Sequence, residues 1–289
     1  MRNILVTGGN GQLGNSIREI ASSFPQYHFH FTDIDELDIT DAPAIKQMVK
    51  QQDIHCIINC AAYNAVDRAE SEPQVAQMLN AKAVGNLACA AAEANALFIH
   101  VSTDYVFDGT SHEPIREEQL PKPISAYAHS KFAGEQQALS LNKKSVVVRT
   151  SWLYSEYGSN FMKSMIRLGK EREELGVVYD QIGTPTYAGD LAEALLHLLP
   201  EFNKLTQPEI FHYSNEGVAS WYDFAVAIHA LAGIKCNIKP IRTSEYPLPA
   251  PRPMYSVMAK EKIKQAFGIT IPHWRASLEH CIGKLLKDQ

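Results

Sequence analysis

No apolar run in the sequence approaches the ~20 residues that a membrane-crossing helix requires. No CxxC pair occurs either. The five cysteines (Cys56, Cys60, Cys89, Cys236 and Cys281) are odd in number, and most sit in apolar stretches. That argues for buried free thiols in a reducing compartment rather than a disulfide framework. Positive charge is in short supply: 27 Lys and Arg stand against 32 Asp and Glu, a net charge of −5. Nucleic acids and anionic membrane surfaces are bound by concentrated positive charge, so neither is an expected partner. The 11 histidines are scattered, and no His or Cys cluster has ligand spacing, so no metal is expected. The first residues run straight into the strand-like Asn3–Thr7 without a basic region, long apolar stretch or cleavage site. A cytoplasmic location is therefore the expectation.

What the sequence does contain is alternation. Short apolar, β-branched runs occur at Ile4–Thr7, His28–Thr32, Cys56–Asn59, Phe98–Ser102 and Val146–Arg149. Helical patterns fall between them, at Gln12–Ser23, Ala42–Gln51, Gln74–Ala94 and Ala126–Leu139. Strands that alternate with helices predict an α/β fold, a Rossmann-type doubly wound parallel sheet with crossover helices on both faces. The pattern changes near residue 150. Helices are predicted at Asn160–Lys170, Ala188–Leu199, Ser220–Ala232 and Trp274–Lys287, with short strands at Val177–Tyr179 and Ile210–His212. Pro247, Pro249, Pro251 and Pro253 mark an extended loop. We therefore divide the chain into a dinucleotide-binding domain, residues 1–150, and a smaller C-terminal substrate-binding lobe, residues 151–289. Some segments of the second half return to the first.

The first strand and helix are joined by Thr7-Gly8-Gly9-Asn10-Gly11-Gln12-Leu13-Gly14. Gly9, Gly11 and Gly14 satisfy G-x-G-x-x-G; Gly8, Gly11 and Gly14 satisfy G-x-x-G-x-x-G. Either pattern needs one glycine for the tight turn, one for close approach to a pyrophosphate, and one for helix–strand packing. Free N–H groups at the helix start then receive the anion. Asp33 closes the second strand, where an acid meets the ribose hydroxyls of an adenosine. A carboxylate there favours NADH, because it repels the extra phosphate of NADPH.

Tyr127 and Lys131 are four residues apart on a predicted helix that Ser125 can cap, so they share one face. A free phenol has a pKa of ~10, and a neighbouring ammonium favours its ionised form. This pair follows the strand Phe98–Ser102, which runs into Ser102-Thr103-Asp104-Tyr105-Val106-Phe107-Asp108-Gly109. Thr103 would sit at the carboxyl end of a parallel strand, where ligands bind in open α/β sheets. Its hydroxyl can meet a keto oxygen or the phenol. Tyr127, Lys131 and Thr103 are the catalytic candidates.

These motifs, with Val66-Asp67-Arg68-Ala69-Glu70 and Arg149-Thr150-Ser151-Trp152-Leu153-Tyr154, resemble the dTDP-4-dehydrorhamnose reductase family of extended short-chain dehydrogenases. The resemblance spans most of the chain and implies NADPH or NADH as cofactor and a dTDP-linked 4-keto sugar as substrate. It places Gly8, Gly11, Gln12, Leu13 and Gly14 at the pyrophosphate, and Asp33, Asp38 and Ile39 around the adenosine. Ala62, Tyr63 and Asn64 would line the cofactor. Tyr127 would donate a proton, with Lys131 as its partner and a contact to the ribose. Thr103, Asp104, Trp152 and Arg252 would meet the substrate. Some members of that family dimerise around a metal held by carboxylates, including one from the first helix. Here Asn15 and Ser16 follow Gly14, so a homodimer stays an open expectation and no metal is expected. Two other functions are compatible with the fold. One is a nucleotide-sugar epimerase or dehydratase, although Asp104 is followed by Tyr105 and not by the Glu that dehydratases usually carry. The other is a non-catalytic regulatory subunit of a methionine adenosyltransferase, against which the intact Tyr127–Lys131 pair speaks.

Overall fold

Along Arg2–Thr7 (β1), successive side chains face opposite ways, and both sets are apolar: Ile4 and Val6 enter one core, Leu5 another. A strand apolar on both faces has to be covered on both, which is the condition of a parallel sheet between helix layers. The computed structural model describes residues 2–287 and shows that arrangement. Tyr27–Thr32 (β2), Ile54–Asn59 (β3), Leu97–Thr103 (β4), Ser145–Thr150 (β5) and Glu209–His212, which we label β10 in chain order, complete the sheet. Its order is β10-β5-β4-β3-β1-β2, and every pairing is parallel. The order reverses at β1, between β2 and β3, and ligand crevices of open α/β sheets lie at such a switch. The fold is a Rossmann-type α/β fold.

Ala42–Gln51 (α2), Ala83–Glu93 (α5) and Ala126–Leu141 (α6) cover one face, where Leu5, Ile57, Phe98 and Val147 are buried. Gln12–Ile20 (α1) and Ala188–Phe202 (α8) cover the other, packing on each other over Ile58, Ile99 and Val148. Each large apolar side chain buried this way contributes ~1.5–3 kcal/mol, so two full layers dominate the stability. Both α8 and β10 come from beyond residue 150 and join this first layer system.

The remaining elements of the first half are short helices, Val66–Ser71 (α3) and Pro73–Gln77 (α4). The sequence predicts one helix over 74–94; the structure inserts a wide π turn, Met78–Lys82, between α4 and α5. Such turns re-aim a side chain and are frequent at functional sites. This one aims buried Asn80. Its amide oxygen accepts from the Tyr63 N–H at 2.8 Å, and its nitrogen donates to the Tyr63 carbonyl at 3.0 Å and to Ser130 on α6. The segment after β3 is thereby fixed against α6. A Cβ at Gly134 would stand 2.0 Å from the Asn80 carbonyl oxygen, so only glycine allows this approach.

The lobe is built from Leu153–Tyr154 (β6), Phe161–Glu171 (α7), Glu174–Val178 (β7), Ile182–Gly183 (β8) and Thr186–Tyr187 (β9). Ala219–Ser220 (β11), Trp221–Leu231 (α9), Asn237–Ile241 (β12), Glu261–Phe267 (α10) and Trp274–Lys287 (α11) follow. Its own core gathers Tyr154, Met162, Phe224, Ile228, Trp274 and Leu278. All five cysteines are free thiols; Cys56 and Cys281 are buried and the other three half-buried. No helix among the described residues is long and apolar enough to cross a membrane.

Candidate active site

A cleft of about 810 Å³ opens at the carboxyl ends of the strands and continues between sheet and lobe. Its floor is the glycine loop. Gly8 has φ +66°, and a Cβ there would lie 2.7 Å from the Ala61 backbone nitrogen. A Cβ on Gly14 would lie 2.4 Å from the Gly8 carbonyl oxygen, so this glycine serves the packing of α1 against the loop. Gly11 is the N-cap of α1 and provides no side-chain cap, which leaves the first N–H groups of the helix directed at the cleft. Asp33 ties the loop to β2: its carboxylate accepts the Asn10 N–H at 3.0 Å and the Ile34 N–H at 2.9 Å. Gly8, Gly11, Gln12, Leu13, Asp33, Asp38, Ile39, Ala62 and Asn64 all line the cleft.

Tyr63 does not. Its phenol donates to Glu72 at 2.6 Å, away from the cleft, because consecutive residues of an extended segment point to opposite sides. Tyr63 thus contributes backbone and packing between Ala62 and Asn64.

Ser125 caps α6 by accepting the Ala128 N–H at 3.1 Å, and this sets the register that turns Tyr127 and Lys131 into the cleft. Both side chains are buried. The Tyr127 hydroxyl lies 3.4 Å from Asn64 Oδ1, and the ring meets Tyr105 edge-on at 5.8 Å. Burial pushes the phenol above its ordinary range; a hydrogen bond with Thr103 opposes this and the Asp104 charge adds to it. Lys131 Nζ donates to the Val101 carbonyl at 2.8 Å, not to the phenol. Burial brings the ammonium down to about 8, against the opposing pull of Glu135 and Cys60. The two share a helix face, but the lysine is braced on β4.

Thr103 donates to Asp104 Oδ1 at 3.1 Å and accepts the Tyr105 N–H at 3.2 Å. Burial raises the Asp104 carboxyl to about 6, with hydrogen bonds opposing it. Asp104 Oδ2, Ser102 Oγ and Thr150 Oγ1 are buried in the cleft lining without a protein partner. Buried polar atoms left this way need a ligand or water to satisfy them.

The lobe supplies the opposite wall. Trp152 adopts φ +47°, a conformation that bulky residues seldom take. Its indole lies flat on that of Trp221, with centroids 3.6 Å apart and planes 9° apart. Trp221 begins α9, where Ser220 and Asp223 form a reciprocal capping box. Phe161 packs against Trp221 at 4.7 Å, tilted by 50°. Gln12 Oε1 accepts from Asn160 at 2.9 Å and from Ser155 at 3.2 Å, which straps segment 155–160 of the lobe to the end of the glycine loop. Trp221, Phe161, Phe224 and this strap are cleft residues that sequence reasoning missed. Arg252 lies outside the lining: its guanidinium forms a two-pronged pair with Asp67, both contacts at 2.7 Å, and donates to the Ala250 carbonyl.

The sequence profile of the RmlD substrate binding domain matches residues 1–287. The chain belongs to that family. Among family relatives, a dTDP-4-dehydrorhamnose reductase of Aggregatibacter actinomycetemcomitans is 41% identical, covering 97% of this chain and 98% of that protein. A solved dTDP-4-dehydrorhamnose reductase of Clostridium acetobutylicum superposes with a TM-score of 0.94 at 42% identity, over 98% of this chain and 99% of that one. One from Bacillus anthracis, solved in complex with NADP, gives 0.93 at 40%, again over 98% and 99%. A dTDP-glucose 4,6-dehydratase of Bacillus anthracis shares the fold at 20% identity and a TM-score of 0.83.

Proposed function

We propose that this member of the RmlD substrate binding domain family is an NAD(P)H-dependent reductase. It transfers a hydride to C4 of a dTDP-4-keto-6-deoxy sugar and forms dTDP-L-rhamnose. The observation that carries this reading is the convergence of the glycine loop, Thr103, Tyr127 and Lys131 on one cleft. Full-length relatives named for that activity support it. A dinucleotide fits the residues present: Gly8 and Gly14 let the loop close tightly on Ala61 and on α1, and α1 presents N–H groups without a side-chain cap at the cleft.

The nicotinamide, when bound, supplies the hydride. Thr103 orients the keto oxygen, and Tyr127 gives its phenolic proton to the alkoxide that develops there. A phenol held above its usual pKa stays protonated through neutral pH, as a proton donor must. Lys131 holds the ribose and offers positive charge from below. General acid catalysis of this kind is worth ~10²–10⁴-fold. Asp104 meets the sugar, and the stacked Trp152 and Trp221 cover an apolar face of the substrate. Arg252 acts one step removed, through Asp67, which it pairs with, and Tyr105, which its guanidinium also meets.

Two tests follow from the geometry. Consumption of NAD(P)H by the purified protein should depend on the 4-keto sugar nucleotide. In that reaction kcat/KM should fall as pH rises through about 8, because Lys131 is charged below that value and neutral above it. A flat profile across the same range would remove the cation from the mechanism. Separately, Trp221→Ala should raise the substrate KM about two- to tenfold, since stacked aromatic contact is worth ~0.5–1.5 kcal/mol beyond area burial. NAD(P)H affinity should stay unchanged. A loss of thermal stability with unaltered kinetics would make the indole pair a packing feature only.

A further inference from the structure

Arg18 is exposed in the last turn of α1, beside the glycine loop and outside the cleft lining. Its guanidinium carbon stands 4.8 Å from the centre of the Phe31 ring. An added Cβ at Gly9 would be 3.2 Å from one of its terminal nitrogens, so the cation lies directly against the glycine loop. No carboxylate pairs with it among the described residues. Immediately across the Gly9–Asn10 backbone is Asp33, whose two carboxylate oxygens each accept a backbone N–H, from Asn10 and Ile34. Those bonds fix its direction and offset part of its charge. Glu36, another acid in the turn, is folded back to accept the Asp33 N–H at 2.8 Å.

An acceptor and a free cation therefore flank one dipeptide of the loop. In Rossmann sites an acid at the end of the second strand takes the ribose 2′-hydroxyl, and a nearby arginine can accommodate a 2′-phosphate. We infer that Arg18 is a cofactor-specificity residue that pairs with the 2′-phosphate of NADPH, so that one site accepts both dinucleotides. Asp33 serves NADH, and Arg18 offsets its repulsion when the phosphate is present. The guanidinium suits this task, because its planar fork matches phosphate oxygens and it stays charged at any working pH. Its contact with Phe31 holds it beside the loop without consuming an N–H, and an exposed cation–π contact is weak enough to be given up. The inference rests on the reading of the cleft as a dinucleotide site.

The test is direct binding, independent of turnover. NADPH, NADH and 2′,5′-ADP are titrated into the wild type, Arg18→Ala and Asp33→Ala by calorimetry. Arg18→Ala should weaken NADPH and 2′,5′-ADP about ten- to a hundredfold, the usual worth of hydrogen bonds to a charged group, and leave NADH within about twofold. Asp33→Ala should weaken NADH and spare or tighten NADPH. Higher salt should weaken NADPH more steeply than NADH in the wild type and equally in Arg18→Ala. An NADPH-to-NADH affinity ratio unchanged by Arg18→Ala overturns the assignment and leaves the cleft reading intact. A wild type that binds neither dinucleotide overturns both. Because Arg18 is exposed and unpaired, its removal leaves no buried partner unsatisfied.

Discussion

Tyr127→Phe should lower kcat for sugar reduction by at least about 10²–10⁴-fold while NADPH binds as in the wild type. The ring is 7% exposed and held edge-on by Tyr105 and by packing against Ala69 and Ala76, contacts that phenylalanine keeps. The change therefore removes one hydroxyl and its proton with little else. Steady-state rates and cofactor titration on the same preparation separate the two effects. Near wild-type turnover would assign the proton to another group. Among the buried residues of the cleft, the neighbour with a carboxyl raised toward neutrality is Asp104, at about 6.

Arg149→Met should destabilise the fold by about 3–5 kcal/mol, because it leaves a carboxylate buried without its partner. Arg149 on β5 and Glu135 on α6 are each 1% exposed and joined by two hydrogen bonds of 2.9 and 2.7 Å. The guanidinium also faces the Phe107 ring at 5.1 Å and lies 3.4 Å from His212 Nε2. Glu135 continues the face of α6 that carries Tyr127 and Lys131, at successive steps of four residues, so this pair clamps that helix to the sheet. The double variant Glu135→Leu with Arg149→Met should recover most of the loss, since it removes both charges at once. Chemical denaturation of the three proteins measures this. A single variant as stable as the wild type, or a double variant no better than the single, would show that the pair does not anchor α6.

The parts of this molecule legible in its sequence are those with a local cause. The glycine loop, the strand runs and the Ser125-capped helix each announce themselves within a few residues, through steric need, period or capping. Tyr127 and Lys131 are readable because helical spacing alone puts them together. The cleft's second wall is not readable in that way. Trp221 and Trp152 are 69 positions apart and meet only because α9 and the β5–β6 turn pack into one lobe. The strap over Gln12 likewise depends on a contact across 148 residues. Asp67 and Arg252 found each other over 185 residues, and that long-range pairing takes Arg252 out of the cleft lining. Tyr63 faces Glu72 because an extended chain alternates, and no sequence signal says which of Ala62, Tyr63 and Asn64 points inward. The π turn that breaks the long helix serves Asn80, whose partners lie on two other segments.

A labelled hydride shows whether reduction occurs at C4 of the sugar. The purified protein is given the dTDP-4-keto-6-deoxy sugar and NADPH deuterated at the transferring position of the nicotinamide, and the product is read by mass spectrometry and NMR. One equivalent of NADPH should be oxidised per sugar, with a single deuterium at C4 of the product. A sugar that turns over without net cofactor oxidation, or a keto sugar recovered unchanged beside bound NADPH, would contradict hydride transfer to C4.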